Sequence, residues 1–235
     1  MKKPLLLFDM DGTLITLHEA PEYHGLSTGY APYVSLRQEM KAIAASHGVP
    51  IEEYKGFNRM SHIWNRTRGY AERIGFSEPD TRALMDAIND PFTRHEAIDH
   101  MHSYLIPGTD EALDSLQDAG YELGLVTTAS RGAYERLSSS PEFGYFGRHF
   151  RYSITRDECG YIKPHPEPIA RALRLFGRSE FYYIGDSDHD AQAAKAAKGF
   201  FILINTRRYD EKTIKTLDPH AVIDNLGALP DILTR

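Results

Sequence analysis

Four short apolar runs constrain this chain more than any other feature: residues 4–9, Tyr121 to Thr127, Phe181 to Gly185 and Phe200 to Ile204. Each is too short for an isolated helix and nearly continuous in apolar character. That is the pattern of strands buried on both faces, which require helices on each side of a sheet. Sequence at helical spacing lies between them. Thr109 to Ala119 predicts a helix with Gly120 at its end, and Arg131 to Leu137 a second. Pro166 to Phe176 predicts a third, and the Ala-rich Asp188 to Lys198 a fourth, ended by Gly199. Arg151 to Ile154 reads as one more short strand, and Ser138 to Pro141 as a loop. Strictly alternating strands and helices imply an α/β fold, a Rossmann-like parallel sheet flanked by helices.

Residues 16–105 have another character, with helical periodicity, many charges and few strand-like runs. Leu36, Met40, Ile43 and Ala44 fit one face of a helix, and Tyr54, Phe57, Ile63 and Trp64 suggest another. Asp80 to Ile88 and Phe92 to Tyr104 read as two more, parted by the turn signal Asn89-Asp90-Pro91. Further turn signals stand at Gly48-Val49-Pro50 and Gly75 to Pro79. The expected organisation is a core of residues 1–15 and 106–235, with an all-helical cap domain, residues 16–105, inserted after the first strand. The junctions near 15–19 and 104–107 would be its hinges.

The bulk properties narrow the function classes. Net charge is −6 with acids and bases interspersed, so no basic stripe invites nucleic acid. A single cysteine, Cys159, excludes an internal disulfide framework and suits a reducing, cytoplasmic setting. Lys2 and Lys3 precede an apolar run that stops at Asp9, too short for a signal core and far too short for a membrane span. The expectation is a protein with no membrane and no nucleic-acid partner, a monomer or homodimer, acting on a small molecule.

Chemistry concentrates where the predicted strands end, the edge at which open α/β sheets place their ligands. The first strand runs into Asp9-x-Asp11-Gly12-Thr13-Leu14. Two carboxylates at that spacing let one attack and the other handle protons, and together they can hold a hard cation. The second strand ends in Thr127. Lys163-Pro164-His165-Pro166 precedes a helix, and Gly185-Asp186-Ser187-Asp188-His189-Asp190 closes another strand with clustered carboxylates. Each has an ordinary explanation alone: a turn, a structural threonine, a solvated lysine, a helix cap. Their order and shared strand-end placement are what single them out.

In that order the four segments resemble the motifs of the haloacid dehalogenase superfamily. The likeness covers residues 4–15 and 106–204. Pro107-Gly108 and the helix running into Gly120-Tyr121 look like the phosphoglycolate phosphatase-like and β-phosphoglucomutase-like branch with an α-helical cap. The resemblance implies a Mg²⁺-dependent phosphatase with Asp9 as nucleophile and Asp11 as general acid and base. The implied metal ligands are the Asp9 side chain, the Asp11 backbone carbonyl and the Asp186 side chain, with Asp190 behind them or anchoring Lys163. Thr127 and Lys163 would be catalytic and bind the phosphoryl group, and the backbone around Met10, Thr128 and Ala129 would cradle its oxygens. Dehalogenases of the family carry tyrosine where Asp11 stands, because a halide leaves without an acid; aspartate argues for phosphate esters. Departures are Thr16 where an acid is common, then Leu17-His18, Thr128 where asparagine is frequent, Lys198-Gly199 for Ala-Gly, and a long Ser138 to Phe150 link.

The implied reaction is hydrolysis of a small phosphate monoester through an aspartyl-phosphate, the substrate being phosphoglycolate-, sugar-phosphate- or nucleotide-like. A phosphomutase of the β-phosphoglucomutase type and a silent binding protein on the same fold are the alternatives. Arg59, Arg66, Arg68, Arg73, His62 and Asn65 are candidates to meet an anionic substrate, against the plainer expectation of a solvated helix face. Tyr54, Phe57, Trp64 and Tyr70 read as helical core. His95, His100 and His102 lack zinc-site spacing.

Overall fold

The computed structural model describes residues 3–16 and 31–233. Leu17 and His18 lie outside them, as does the far end of the first expected junction. Six strands form one sheet: β1 (Leu5–Phe8), β2 (Leu123–Val126), β3 (Tyr152–Ile154), β4 (Phe181–Gly185), β5 (Phe200–Ile204) and β6 (Ala221–Ile223). Their order is β3-β2-β1-β4-β5-β6, and every pairing is parallel. The chain runs outward from β1 to β3, then returns to β4 on the other side of β1. The β1/β4 boundary is therefore the switch point, where a crevice opens at the carboxyl ends of the strands.

The helices are α1 (Ala31–Ser46), α2 (Met60–Ile74), α3 (Glu78–Asp99), α4 (Thr109–Asp118), α5 (Arg131–Ser138), α6 (Glu167–Phe176), α7 (Asp188–Ala196), α8 (Glu211–Leu217) and α9 (Leu229–Leu233). Strand alternation assigns the sheet's two faces. Leu6, Phe8, Leu123, Leu125, Ile184, Ile202 and Ile204 share one core with Leu113 and Leu116 of α4, Leu137 of α5 and Leu229 of α9. The intervening residues, among them Leu7, Gly124 and Tyr183, turn to the other face, where α6 packs on β2 and β3 and α7 on β4 and β5. Both faces are buried, so the strands read as continuous apolar runs.

Among the described residues the chain separates into an α/β unit, residues 3–16, 103–159 and 163–233, and a helical unit, residues 31–102 with 160–162. Within the α/β unit the two chain crossings lie side by side: Thr16 N–H donates to the Tyr104 carbonyl at 2.8 Å and Ile106 N–H to the Leu14 carbonyl at 2.9 Å. In the helical unit α1, α2 and α3 pack on one another around Leu36, Met40, Trp64, Leu84 and Ile88. The Tyr54 hydroxyl meets Thr67 Oγ1 at 2.8 Å inside that core.

Three sequence expectations need correction. Asn89-Asp90-Pro91 does not separate two helices: α3 runs unbroken through Pro91. Thr81, Leu84, Ile88 and Pro91 are all buried, so one apolar face continues across the proline, and its packing outweighs the lost backbone hydrogen bond. Tyr54 and Phe57 do not share a helix with Trp64; Tyr54 ends a 3₁₀ turn, Ile51–Tyr54, and Phe57 lies before α2. The helix expected from Asp188 to Lys198 stops at Ala196, and Lys198 lies beyond it in left-handed conformation, at φ 61°. Glycine at 199 answers a different need: a Cβ there would lie 2.1 Å from Phe181 Cζ.

Gly124 shows how tightly the α6 face is packed. A Cβ there would sit 2.6 Å from Phe176 Cε2 and 2.8 Å from Leu7 Cδ2, whereas one on Gly132 of α5 would meet nothing within 4 Å. Gly124→Ala is expected to destabilise by about 1–3 kcal/mol through overpacking. Gly132→Ala, in the first turn of α5, should be neutral or stabilise by up to about 0.5–1 kcal/mol, since alanine leaves the unfolded chain less freedom to lose. Urea unfolding of both variants checks this; equal midpoints would contradict the packing argument.

Candidate active site

The β1 chain end turns sharply on one acceptor. The Met10 carbonyl receives N–H groups from Thr13, Leu14 and Ile15 at 3.2, 2.8 and 3.1 Å. This tight turn leaves Asp9 buried at the strand's end and Asp11 half-buried beside it. Gly12, at φ 80°, passes close to Asp186, and a Cβ at 12 would lie 2.2 Å from Asp186 Oδ2. Only glycine provides both the positive φ and that approach.

Lys163 is the hub. Its side chain is 3% exposed, too little for water to solvate an ammonium. The Nζ lies 2.6 Å from Asp9 Oδ1, 2.6 Å from Asp190 Oδ1 and 2.8 Å from the Tyr183 hydroxyl. Asp190 is the third residue of α7. Its Oδ2 accepts from the Ser187 N–H at 3.0 Å and the Ser187 hydroxyl at 2.5 Å. The Ser187 hydroxyl in turn accepts from the Asp190 N–H, a capping box that fixes the carboxylate's rotamer. Gly185 leaves it room, for a Cβ there would be 2.6 Å from Asp190 Cγ.

Electrostatics sorts the carboxylates. Burial, followed by the Asp190 charge, drives the Asp9 pKa well above the ordinary range, with Lys163 opposing. Burial alone would raise Asp190 too, but Lys163 and the Ser187 hydrogen bonds hold it low. Burial also disfavours the Lys163 ammonium, yet Asp190 and Asp9 outweigh it and keep its pKa well above the lysine range. Asp186 is pushed up to about 6 by burial, against the pull of Arg207. The Arg207 Nε donates to Asp186 Oδ2 at 2.5 Å. Thr206, from the same loop after β5, donates to the Gly12 carbonyl at 2.6 Å and ties that loop to the first turn.

Asp9, Asp186 and Asp190 offer carboxylate oxygens within 4.8 Å of one another, the one such metal-capable group among the described residues. Asp186 Oδ1 is buried with no hydrogen-bond partner. An orphaned anionic oxygen among further carboxylates is a donor set that fits Mg²⁺, a hard cation preferring oxygen. The Asp190 oxygens already face Lys163 and Ser187, leaving Asp9 and Asp186 better placed to hold a metal.

The other expected residues sort as follows. Thr127 directly follows β2, is buried, and its Oγ1 accepts from the Ala129 N–H at 3.0 Å, leaving the hydroxyl proton to donate elsewhere. The Thr128 carbonyl is held by the fully buried Arg156 at 2.8 Å. His165 accepts the Glu167 N–H in a local turn. Burial pushes the Cys159 thiol up to about 12, which leaves it inert as a nucleophile.

Within the helical unit, several candidates for anion contact are committed elsewhere. The Asn65 amide clasps the Ile162 backbone, donating at 2.7 Å and accepting at 2.9 Å. Trp64 Nε1 donates to the Gly160 carbonyl at 2.9 Å. Arg68 pairs with Glu72, Arg73 with Glu53, and Arg66 lies 3.9 Å over the Phe57 ring. His95 stacks on Tyr33 at 4.8 Å between centroids. Sequence reasoning missed Tyr183 and Arg207. The period of two along β4 puts Tyr183 on the face of Gly185, a usable signal; nothing local marks Arg207.

The model of the haloacid dehalogenase-like hydrolase family matches residues 4–198. The phosphoglycolate phosphatase of Cereibacter sphaeroides is 27% identical over 237 residues, covering 99% of this chain and 98% of that protein. The pyrophosphatase PpaX of Bacillus mycoides is 26% identical over 249 residues, covering 100% and 99%. A solved structure of a hydrolase from Pseudomonas syringae superposes with a TM-score of 0.57 at 17% identity, covering 99% of this chain and 98% of that one. With the family's match spanning most of the sequence and its motif residues meeting around one buried lysine, the chain belongs to the haloacid dehalogenase-like hydrolases.

Proposed function

We propose that this hydrolase is a Mg²⁺-dependent phosphatase that cleaves a small phosphate monoester through a phosphoryl group carried on Asp9. The observation that carries the reading is the Asp9 carboxylate itself. It is buried at the switch point, 2.6 Å from the Lys163 ammonium, with a second acid two residues on. A carboxylate attacks a dianionic phosphate only when charge is neutralised and geometry fixed. Lys163 supplies one positive charge and the fixed position. A bound Mg²⁺, held by Asp9, Asp186 and the Asp11 carbonyl, supplies the remaining neutralisation.

Asp9 forms the bond to phosphorus as the ester oxygen leaves, and Asp11 protonates that oxygen. Asp11 then removes a proton from water, which attacks the phosphoryl group and restores Asp9. The half-buried position of Asp11, in contrast to Asp9, suits a group that must exchange protons with substrate and water. The Thr127 hydroxyl donates to a phosphoryl oxygen, the Thr128 backbone helps cradle the group, and Lys163 offsets its charge. Asp190 holds Lys163 from behind. The helical unit occupies the place in the chain where the resemblance expects a cap. The relatives' names, a phosphoglycolate phosphatase and a pyrophosphatase, support a small phosphorylated substrate.

Purified protein with Mg²⁺ should release inorganic phosphate from several monoesters in a substrate panel. Asp9→Asn is expected to lower kcat by about 10³-fold or more, and Asp11→Asn by about 10²–10⁴-fold. Robust turnover by Asp9→Asn would remove it as the nucleophile. Conversion of a sugar phosphate only with a bisphosphate activator, and little phosphate release, would indicate a mutase instead. EDTA should abolish turnover and added Mg²⁺ restore it; activity that survives chelation would contradict the metal's part.

A pH dependence follows from Asp186. Metal binds the ionised carboxylate, so protons compete as pH falls through the folded-state value of about 6. Mn²⁺ affinity, read by electron paramagnetic resonance, should weaken about tenfold between about pH 7.5 and about pH 5. An affinity that is flat across that range would rule out Asp186 as a titrating ligand.

A further inference from the structure

Lys163 Nζ meets three oxygens. It donates to Asp190 Oδ1 at 2.6 Å and to the Tyr183 hydroxyl at 2.8 Å, and it forms an ion pair with Asp9 Oδ1 at 2.6 Å. Tyr183 is fully buried in β4. Its own proton goes to the Val126 carbonyl at 2.7 Å, the last residue of β2 before Thr127. The hydroxyl therefore spans from the lysine to the end of β2, two strands away across β1.

We propose that Tyr183 is a positioning residue for Lys163: its hydroxyl takes one ammonium proton while Asp190 takes another, which holds the ammonium in place against Asp9. An ammonium is a symmetric donor with freely rotating N–H bonds. Without the hydroxyl, that proton is left buried without its acceptor, and the group gains by tilting toward any oxygen that supplies one. The hydroxyl makes a single orientation best. The strand pattern places Tyr183 for this role: residues 181, 183 and 185 share the sheet face on which α6 and α7 pack. Lys163 enters just before α6, and Asp190 sits in the first turn of α7. The hydroxyl's second bond, to Val126, prevents the phenol from rotating out of register with Lys163. The functional part of the proposal rests on the phosphatase reading, whereas the geometric part does not.

Tyr183→Phe keeps the ring and removes only the oxygen. It is expected to lower kcat by about tenfold to a hundredfold while KM changes by less than about threefold. In a Lys163→Met background the same substitution should have no further effect, because a residue acting through Lys163 has nothing left to act on. An equal loss in both backgrounds would show a merely structural role and overturn the proposal. A second readout needs no turnover. Nitrogen-15 NMR of the lysine side chains should show one solvent-protected ammonium signal, identified by its absence in Lys163→Arg. Tyr183→Phe should speed its hydrogen exchange by about tenfold or more. Unchanged exchange would overturn the proposal whatever the activity. An inactive wild type with a protected ammonium would instead count against the phosphatase reading alone. Should Tyr183→Phe fail to fold, 4-aminophenylalanine at 183 retains both a donor and an acceptor. It is expected to preserve the protected signal, and loss of that signal in a folded protein would equally refute the role.

Discussion

A buried ammonium between two carboxylates is the interaction on which the rest of this molecule depends. Moving one such ion out of water costs several kcal/mol even after relaxation, and Lys163, Asp9 and Asp190 are all withdrawn together. The cost is offset only when every donor and acceptor is matched, which demands that β1, β4, α7 and the segment before α6 be held in fixed register. The parallel sheet provides that register, because adjacent strands end at the same edge. Three buried carboxylates, Asp9, Asp186 and Asp190, face two cationic partners, Lys163 and Arg207. The surplus is one negative charge, and it adds to burial, the larger cause, in raising the pKa values of Asp9 and Asp186. A divalent cation relieves that surplus, so the site's electrostatics and its suitability for Mg²⁺ are one property.

The strands were legible because a strand buried on both faces leaves an unbroken apolar run. β4 and β5 coincide with the runs Phe181 to Gly185 and Phe200 to Ile204. β6 was not legible. It is three residues long, it lies at the sheet's edge, and Val222 is exposed, so it carries neither a continuous run nor a clean alternation. Pro91 misled for a related reason. Local propensity marks a proline as a break, whereas the buried face of α3 is a property of the whole helix.

The site divides along the same line between local and distant. Asp9, Thr127 and Asp186 could be read because each directly follows an apolar run, so chain order alone puts it at the strand edge. Ser187-x-x-Asp190 carries a capping pattern in four residues. Arg207 reaches Asp186 across 21 residues with no local sign, and Tyr183 reaches Lys163 across 20 with only its strand face as a sign. The segment Gly160–Ile162 is the sharpest case. Its chain neighbours on both sides belong to the α/β unit, yet it clusters with the helices, because Asn65 and Trp64 hold its backbone. Composition gives no hint of this, since an asparagine on a polar helix face reads as solvated.

The motif glycines acquire a physical meaning from these distances. Gly12 and Gly185 are usually explained by the backbone alone, and Gly12 does have a positive φ. Each also lies where a methyl group would strike a carboxylate, Asp186 at residue 12 and Asp190 at residue 185. The first motif therefore specifies not only its own two acids but the space into which the fourth motif's acid must fit. The fourth motif reserves, in Gly185, the space for its own Asp190. Acids this close together repel unless cations hold them, and cations hold them only if nothing separates the two motif turns. The absence of two side chains is thus as much a part of the charge arrangement as the carboxylates themselves.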